Sequence, residues 1–138
     1  MVRVISLSTA NLKALENILL NKHKYESQIE KRKAILKIRK ENPTPEVKVN
    51  NTQSPVEAEV IKALTDSYIS NRNLWLKGIE ELERSLDDRC KEVYQFKYVE
   101  YPYLAWVDVG NELGYAKSTI YRIRYLILEK FNDFIGMY

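Results

Sequence analysis

Lys117, Ser118, Tyr121, Arg122 and Tyr125 stand one, three and four residues apart, so on a helix they gather on one face. Each carries a hydrogen-bond donor, and Arg122 presents its donors as a rigid planar fork. Such a face, with no acidic residue before Glu129, suits the base edges and phosphates of duplex DNA. Arg122 is the first choice for a bidentate contact to guanine. Ser118 and Thr119 can bond bases or phosphates. Tyr121 and Tyr125 offer a ring to thymine methyl groups or a hydroxyl to phosphate, and Arg124 lies at the flank of the face. The competing reading of each residue is a solvated side chain.

These side chains need a rigid support, and the neighbouring sequence has one. Ile120, Ile123, Ile127 and Phe131 recur at helical spacing on the opposite side, which predicts a buried stripe. Upstream, Trp106, Val109 and Leu113 predict a shorter helix with one apolar face. Gly114 follows at once, where a left-handed residue would end that helix and turn the chain sharply. Gly110, without a side chain, would let the two helices approach closely. A supporting helix, a glycine turn and a longer helix with a donor-rich outer face together describe a helix-turn-helix. An ordinary helical hairpin is the plainer alternative.

The pattern Trp106, Val109, Gly110, Leu113-Gly114-Tyr115, Ser118-Thr119-Ile120-Tyr121-Arg122-Ile123 and Leu128-Glu129-Lys130-Phe131 resembles the C-terminal helix-turn-helix of the ArpU/RinA-type phage transcriptional regulators. Those resemble in turn the promoter-reading C-terminal domain of bacterial sigma factors. The close match runs from Leu86 onward; before it the similarity is one of layout, with long helices preceding the DNA-reading domain. The resemblance implies transcriptional control, activation of late phage genes and host RNA polymerase as a partner. One position departs from the pattern. Ala116 stands where related sequences usually place a serine to cap the second helix, and alanine caps poorly, which leaves Lys117 or Ser118 at the helix edge.

No motif supports catalysis. The chain has no glycine-rich phosphate loop, no paired acids in an apolar setting and no nucleophile–base set. With one histidine and one cysteine a metal site would need an all-carboxylate ligand set, so neither metal nor cofactor is expected. Cys90 lies in an apolar helical pattern as a small hydrophobe, and His23 lies in a polar basic stretch as a solvated side chain. A net charge of +3 permits nucleic-acid binding without requiring it. The absence of a signal peptide, of a disulfide pair and of a bilayer-length apolar run points to a cytoplasmic protein with no membrane partner, and the resemblance implies that the cytoplasm is that of a bacterial host.

Along the chain, residues 1–8 read as irregular. Ser8 or Thr9 opens a helix running to about Lys40, with Leu12, Leu15, Ile18 and Leu19 on one face and only Tyr25 and Ile29 offering apolar contact in its middle. Its second half is basic, with Lys22, Lys24, Lys31, Arg32, Lys33, Lys37, Arg39 and Lys40. A solvated face is the favoured reading there, and an auxiliary surface for DNA phosphates the sharper one. Residues 41–54, with Pro43, Pro45 and a run of Asn, Thr and Gln, form a flexible linker. Ser54-Pro55-Val56-Glu57 is a helix-start signal. Beyond it Ile61, Leu64, Tyr68, Trp75, Ile79, Leu82 and Leu86 make a coiled-coil-like seam interrupted at Asn71 and Arg72. The seam must pack against the first helix, against a second copy of the chain, or both.

Ser85 and Asp88 are placed to cap a further helix over 88–99, which buries Cys90, Val93, Tyr94 and Phe96 or Tyr98, and Tyr101-Pro102-Tyr103 stops it. The expected fold is therefore all-α. A long N-terminal helical hairpin for assembly (residues 1–86, linker 41–54) precedes a small helix-turn-helix domain (residues 87–138). The expected partners are double-stranded DNA and a second copy in a homodimer. A phage small terminase subunit, or a helical adaptor that binds proteins, are the rival readings.

Overall fold

The computed structural model describes residues 6–41 and 66–138, with side chains for 6–39 and 66–138. These residues form six α-helices and no strand: α1 Thr9–Leu20, α2 Lys22–Glu41, α3 Ser67–Ser85, α4 Asp88–Tyr94, α5 Trp106–Leu113 and α6 Lys117–Ile135. Glu41, the first residue of the expected linker (residues 41–54), ends α2; the rest of that linker, the start signal at Ser54–Glu57 and the first seam residues Ile61 and Leu64 lie outside the described residues, as do residues 1–5.

The helix expected from Thr9 to Lys40 is two helices. α1 starts where Ser8 Oγ accepts the Asn11 N–H at 3.1 Å and stops at Asn21, whose side-chain amide donates to the Asn17 carbonyl at 2.8 Å. An asparagine that bonds its own backbone competes with the helical ladder, which is why the helix restarts at Lys22. α3 also has a start of its own: Asp66 Oδ1 accepts the Ile69 N–H at 3.1 Å. α4 is capped by Asp87, which accepts the Cys90 N–H at 2.8 Å and lies between the two expected caps, Ser85 and Asp88. Its continuation, Gln95–Glu100, widens into a π-helical turn that closes through the Tyr101 N–H on the Phe96 carbonyl at 2.9 Å.

The chain gathers into two compact units, Met1–Lys22 with Lys77–Tyr138, and His23–Leu76. A single boundary after residue 86 does not describe this division, because α1 and the second half of α3 belong with the C-terminal helices. In the first unit Leu15, Ile79, Leu82, Val93, Val109, Ile120, Ile123, Ile127, Leu128 and Phe131 are fully buried. Each contributes about 1.5–3 kcal/mol of hydrophobic burial. Gly78 on α3 lies so close to Ile135 and Phe131 of α6 that a Cβ there would collide with Ile135. The later part of the seam, Ile79, Leu82 and Leu86, is thus buried within the chain itself.

In the second unit Tyr25 stacks near Trp75 (5.3 Å between rings), Gln28 accepts from Arg72 Nε at 2.9 Å, and Arg32 makes a two-pronged pair with Asp66. These pairs descend α3 as they climb α2, so the two helices run antiparallel. Among the described residues of this unit, Ile29 and Ile69 are buried apolar residues alongside Tyr25. The interruption at Asn71-Arg72 is filled by Arg72, whose guanidinium lies 3.3 Å from the centre of the Tyr68 ring. The Arg32 guanidinium, bonded to the Asp66 carboxylate, holds Asp66 below the usual carboxylate range.

Candidate nucleic-acid interface

α5 begins at Trp106, which is buried with Val109 and Gly110, while Leu113 is half-buried. Gly114 ends it in the left-handed region at φ 81°, and the chain closes the turn with the Tyr115 N–H on the Gly110 carbonyl at 2.7 Å. A Cβ on Gly110 would sit 3.1 Å from both Ile120 Cγ2 and the Tyr115 carbonyl, so the close approach of α5 and α6 favours glycine there. α6 starts at Lys117. Ala116 has the extended backbone of a capping residue (φ −63°, ψ 154°) but no side chain to bond the first turn. With no acid in that turn, its amide groups and Lys117 leave the start of α6 electropositive.

Lys117, Ser118, Tyr121 and Arg122 are exposed, and none is engaged in a hydrogen bond or ion pair among the described residues. They follow one another on the first half of α6, opposite Ile120, Ile123 and Ile127. Thr119 is half-buried. Tyr125 is half-buried as well, and its hydroxyl accepts the Leu7 N–H at 3.1 Å, so the segment before α1 runs beside it. Arg124 does not flank the outer face. Its guanidinium turns inward and pairs with Glu16 of α1 at 3.0 Å, both side chains only 14% exposed.

Glu16 is the residue that sequence reasoning missed. Its Oε2 accepts three donors, Tyr98 Oη at 2.7 Å, Trp106 Nε1 at 3.0 Å and Arg124 Nε at 3.0 Å, and its Oε1 accepts Arg124 Nη2 at 3.4 Å. Burial, reinforced by this carboxylate, pushes the Tyr98 hydroxyl well above the usual phenol range. Lys97, 6% exposed, donates to the carbonyls of Pro102 and Leu104 at 2.9 and 2.6 Å and so ties down the loop ahead of α5. Burial pulls the Lys97 ammonium below the usual lysine range, against the pull of Glu16. The one signal in the sequence was negative: Glu16 shares the inner side of α1 with Leu12, Leu15 and Leu19, where an unpaired acid would be costly.

Elsewhere the surface is mixed. The start of α5 carries Asp108 in its first turn, which opposes an anion there. In the basic run of α2, Lys22 pairs with Glu83, Arg32 with Asp66 and Lys33 with Glu30, while Lys24, Lys31, Lys37 and Arg39 are exposed. Cys90 is buried, with its thiol pushed up by burial, and His23 is exposed. Among the described residues no group of histidine, cysteine and acidic side chains is placed to hold a metal, and no helix is long and apolar enough to cross a membrane.

Comparison with known proteins found no match among curated proteins and none among solved structures. Residues 11–133 match the model of a family described as proteins of unknown function, DUF722. That span reaches into every helix of the first compact unit and includes Glu16 and the exposed face of α6, and on it the chain belongs to the DUF722 family.

Proposed function

We propose that α5 and α6 act as a helix-turn-helix that reads duplex DNA, and that the chain is a phage-type transcriptional regulator. The observation that carries this reading is the exposed, unengaged set Lys117, Ser118, Tyr121 and Arg122 on the first half of α6, with no acid in its first turn. Recognition helices meet base edges through that part of their length. Arg122 is assigned to a guanine edge, Lys117 and Ser118 to phosphates or bases, and Tyr121 to a thymine methyl or a phosphate. Thr119 and Tyr125 stand at the margin. Arg124 leaves the contact set, since Glu16 holds it.

In this proposal the antiparallel α2–α3 pair serves assembly, and a two-fold dimer suits inverted-repeat sites. Its support has narrowed, because Ile79, Leu82 and Leu86 are buried within the chain; among the described residues Ile35, Ile38 and Leu74 are the large apolar side chains exposed on α2 and α3. Activation of late phage genes and contact with host RNA polymerase in the bacterial cytoplasm rest on the resemblance alone. Selection of bound sequences from a random duplex pool tests the reading, with a defined motif as the expected outcome. Failure to retard any duplex at low salt would favour a protein-binding helical adaptor. Recovery of the protein as a ring of many subunits would favour a small terminase role.

A further inference from the structure

We infer that Glu16 is a positioning residue for DNA reading, so that α1, far outside the helix-turn-helix, sets the pose of α6 against α5. The inference rests on the function proposed above. The three groups that converge on the Glu16 carboxylate come from three elements: Tyr98 from the π-helical turn, Trp106 from the first turn of α5 and Arg124 from the middle of α6. The close packing at Gly110 and the Gly114 turn set the coarse crossing of α5 and α6, which directional bonds can hold more tightly than apolar contact alone. Short hydrogen bonds to a nearly buried carboxylate are directional, and this one joins the entry of the supporting helix to the reading helix. Base readout needs its side chains held to within ~0.5 Å. Arg124 stands only two residues beyond Arg122 and three beyond Tyr121 on the same helix. While paired with Glu16 its guanidinium is also withheld from the phosphates.

This arrangement makes a distinctive prediction for Glu16→Gln, which keeps the shape and removes the charge. α6 loses its fixed pose, so preference for the selected duplex over a random one should fall by about tenfold, the scale of one lost base contact. Arg124, released, becomes available to phosphates, so affinity for the random duplex should hold or rise and the salt slope should steepen by about one. A role in stability alone would weaken both duplexes together. Tyr98→Phe, which removes one hydroxyl and leaves the ring packing, should show a smaller loss of preference in the same direction.

Binding isotherms on selected and random duplexes across a salt series, with amide chemical-shift maps of wild type and both variants, decide the matter. Shifts reaching Lys117–Arg122, with preference lost and random binding kept, are the expected result. An unchanged preference in folded variants, or equal loss on both duplexes, overturns the inference. A wild-type chain that retards no duplex refutes the proposed function itself. The amide maps then judge Glu16 alone: shifts confined to Tyr98, Trp106 and Arg124 overturn its control of α6, and shifts extending to Lys117–Arg122 uphold it.

Discussion

Ile120 and Arg122 stand two residues apart on α6 and face opposite ways, one fully buried and one exposed. Ile120→Ala should cost about 2–4 kcal/mol of stability, since the site is closed on all sides and collapses poorly. Arg122→Ala should leave stability within about 0.5 kcal/mol and weaken binding to the selected duplex by about 1–3 kcal/mol. Thermal melts and binding isotherms on the two variants check both, and a reversed stability ranking would mean the helix is rotated. This division was legible because both signals are local, a stripe every three or four residues and a glycine before it. Arg124 was misjudged for the opposite reason. Its partner lies 108 positions away, and a lone arginine beside a donor-rich face carries no mark of such a pairing.

At the scale of the helix, the ends decide most of what the periodicity leaves open. Ala116 already has capping backbone and is exposed, so Ala116→Ser should add about 0.5–2 kcal/mol by bonding the free first-turn amides of α6. Denaturant midpoints measure this directly, and no gain would mean that the backbone at Ala116 differs from that of a capping residue. Gly110→Ala works the other way. The added methyl meets the Tyr115 carbonyl and Ile120 at 3.1 Å each, and the carbonyl is backbone that cannot swing aside. A loss of about 1–3 kcal/mol is expected despite the better helix propensity of alanine, and the same melts check it. That the described residues are helical was legible, as were the breaks at Pro102 and Gly114, whereas the break at Asn21 was not. Asn21 interrupts a stretch with no proline or glycine, and the cap of α4 falls to Asp87, between the two expected caps Ser85 and Asp88. The π-helical turn at Gln95–Glu100 leaves no trace in an apolar pattern that continues through it.

At the scale of the whole chain, assembly and alkaline stability can both be measured. A dimer is expected by sedimentation at tens of micromolar, and a monomer there would remove assembly from the proposal. Tyr25, 4% exposed, is pushed up by burial from 10.0 to about 12. The unfolded tyrosine gives up its proton near 10.0 while the folded one keeps it, so the folded state binds more protons across that interval. The stability from this group is complete below the unfolded value and is lost as pH rises toward about 12. Tyr94 and Tyr98, raised by burial and by Glu83 and Glu16 respectively, act with the same sign. Tyr25→Phe should therefore flatten the alkaline fall by on the order of 1–3 kcal/mol, read as denaturant midpoints against pH. What escaped the sequence at this scale was the membership of α1, because an acid on a short helix does not advertise a partner near the other end of the chain. That membership also governs synthesis. Glu16 leaves the ribosome 108 residues ahead of Arg124, and at roughly 5–20 residues per second the gap lasts on the order of 5–20 s. Throughout that interval the apolar side of α1 has nothing from α6 to cover it, and it stays open to non-native contact until the last helix emerges.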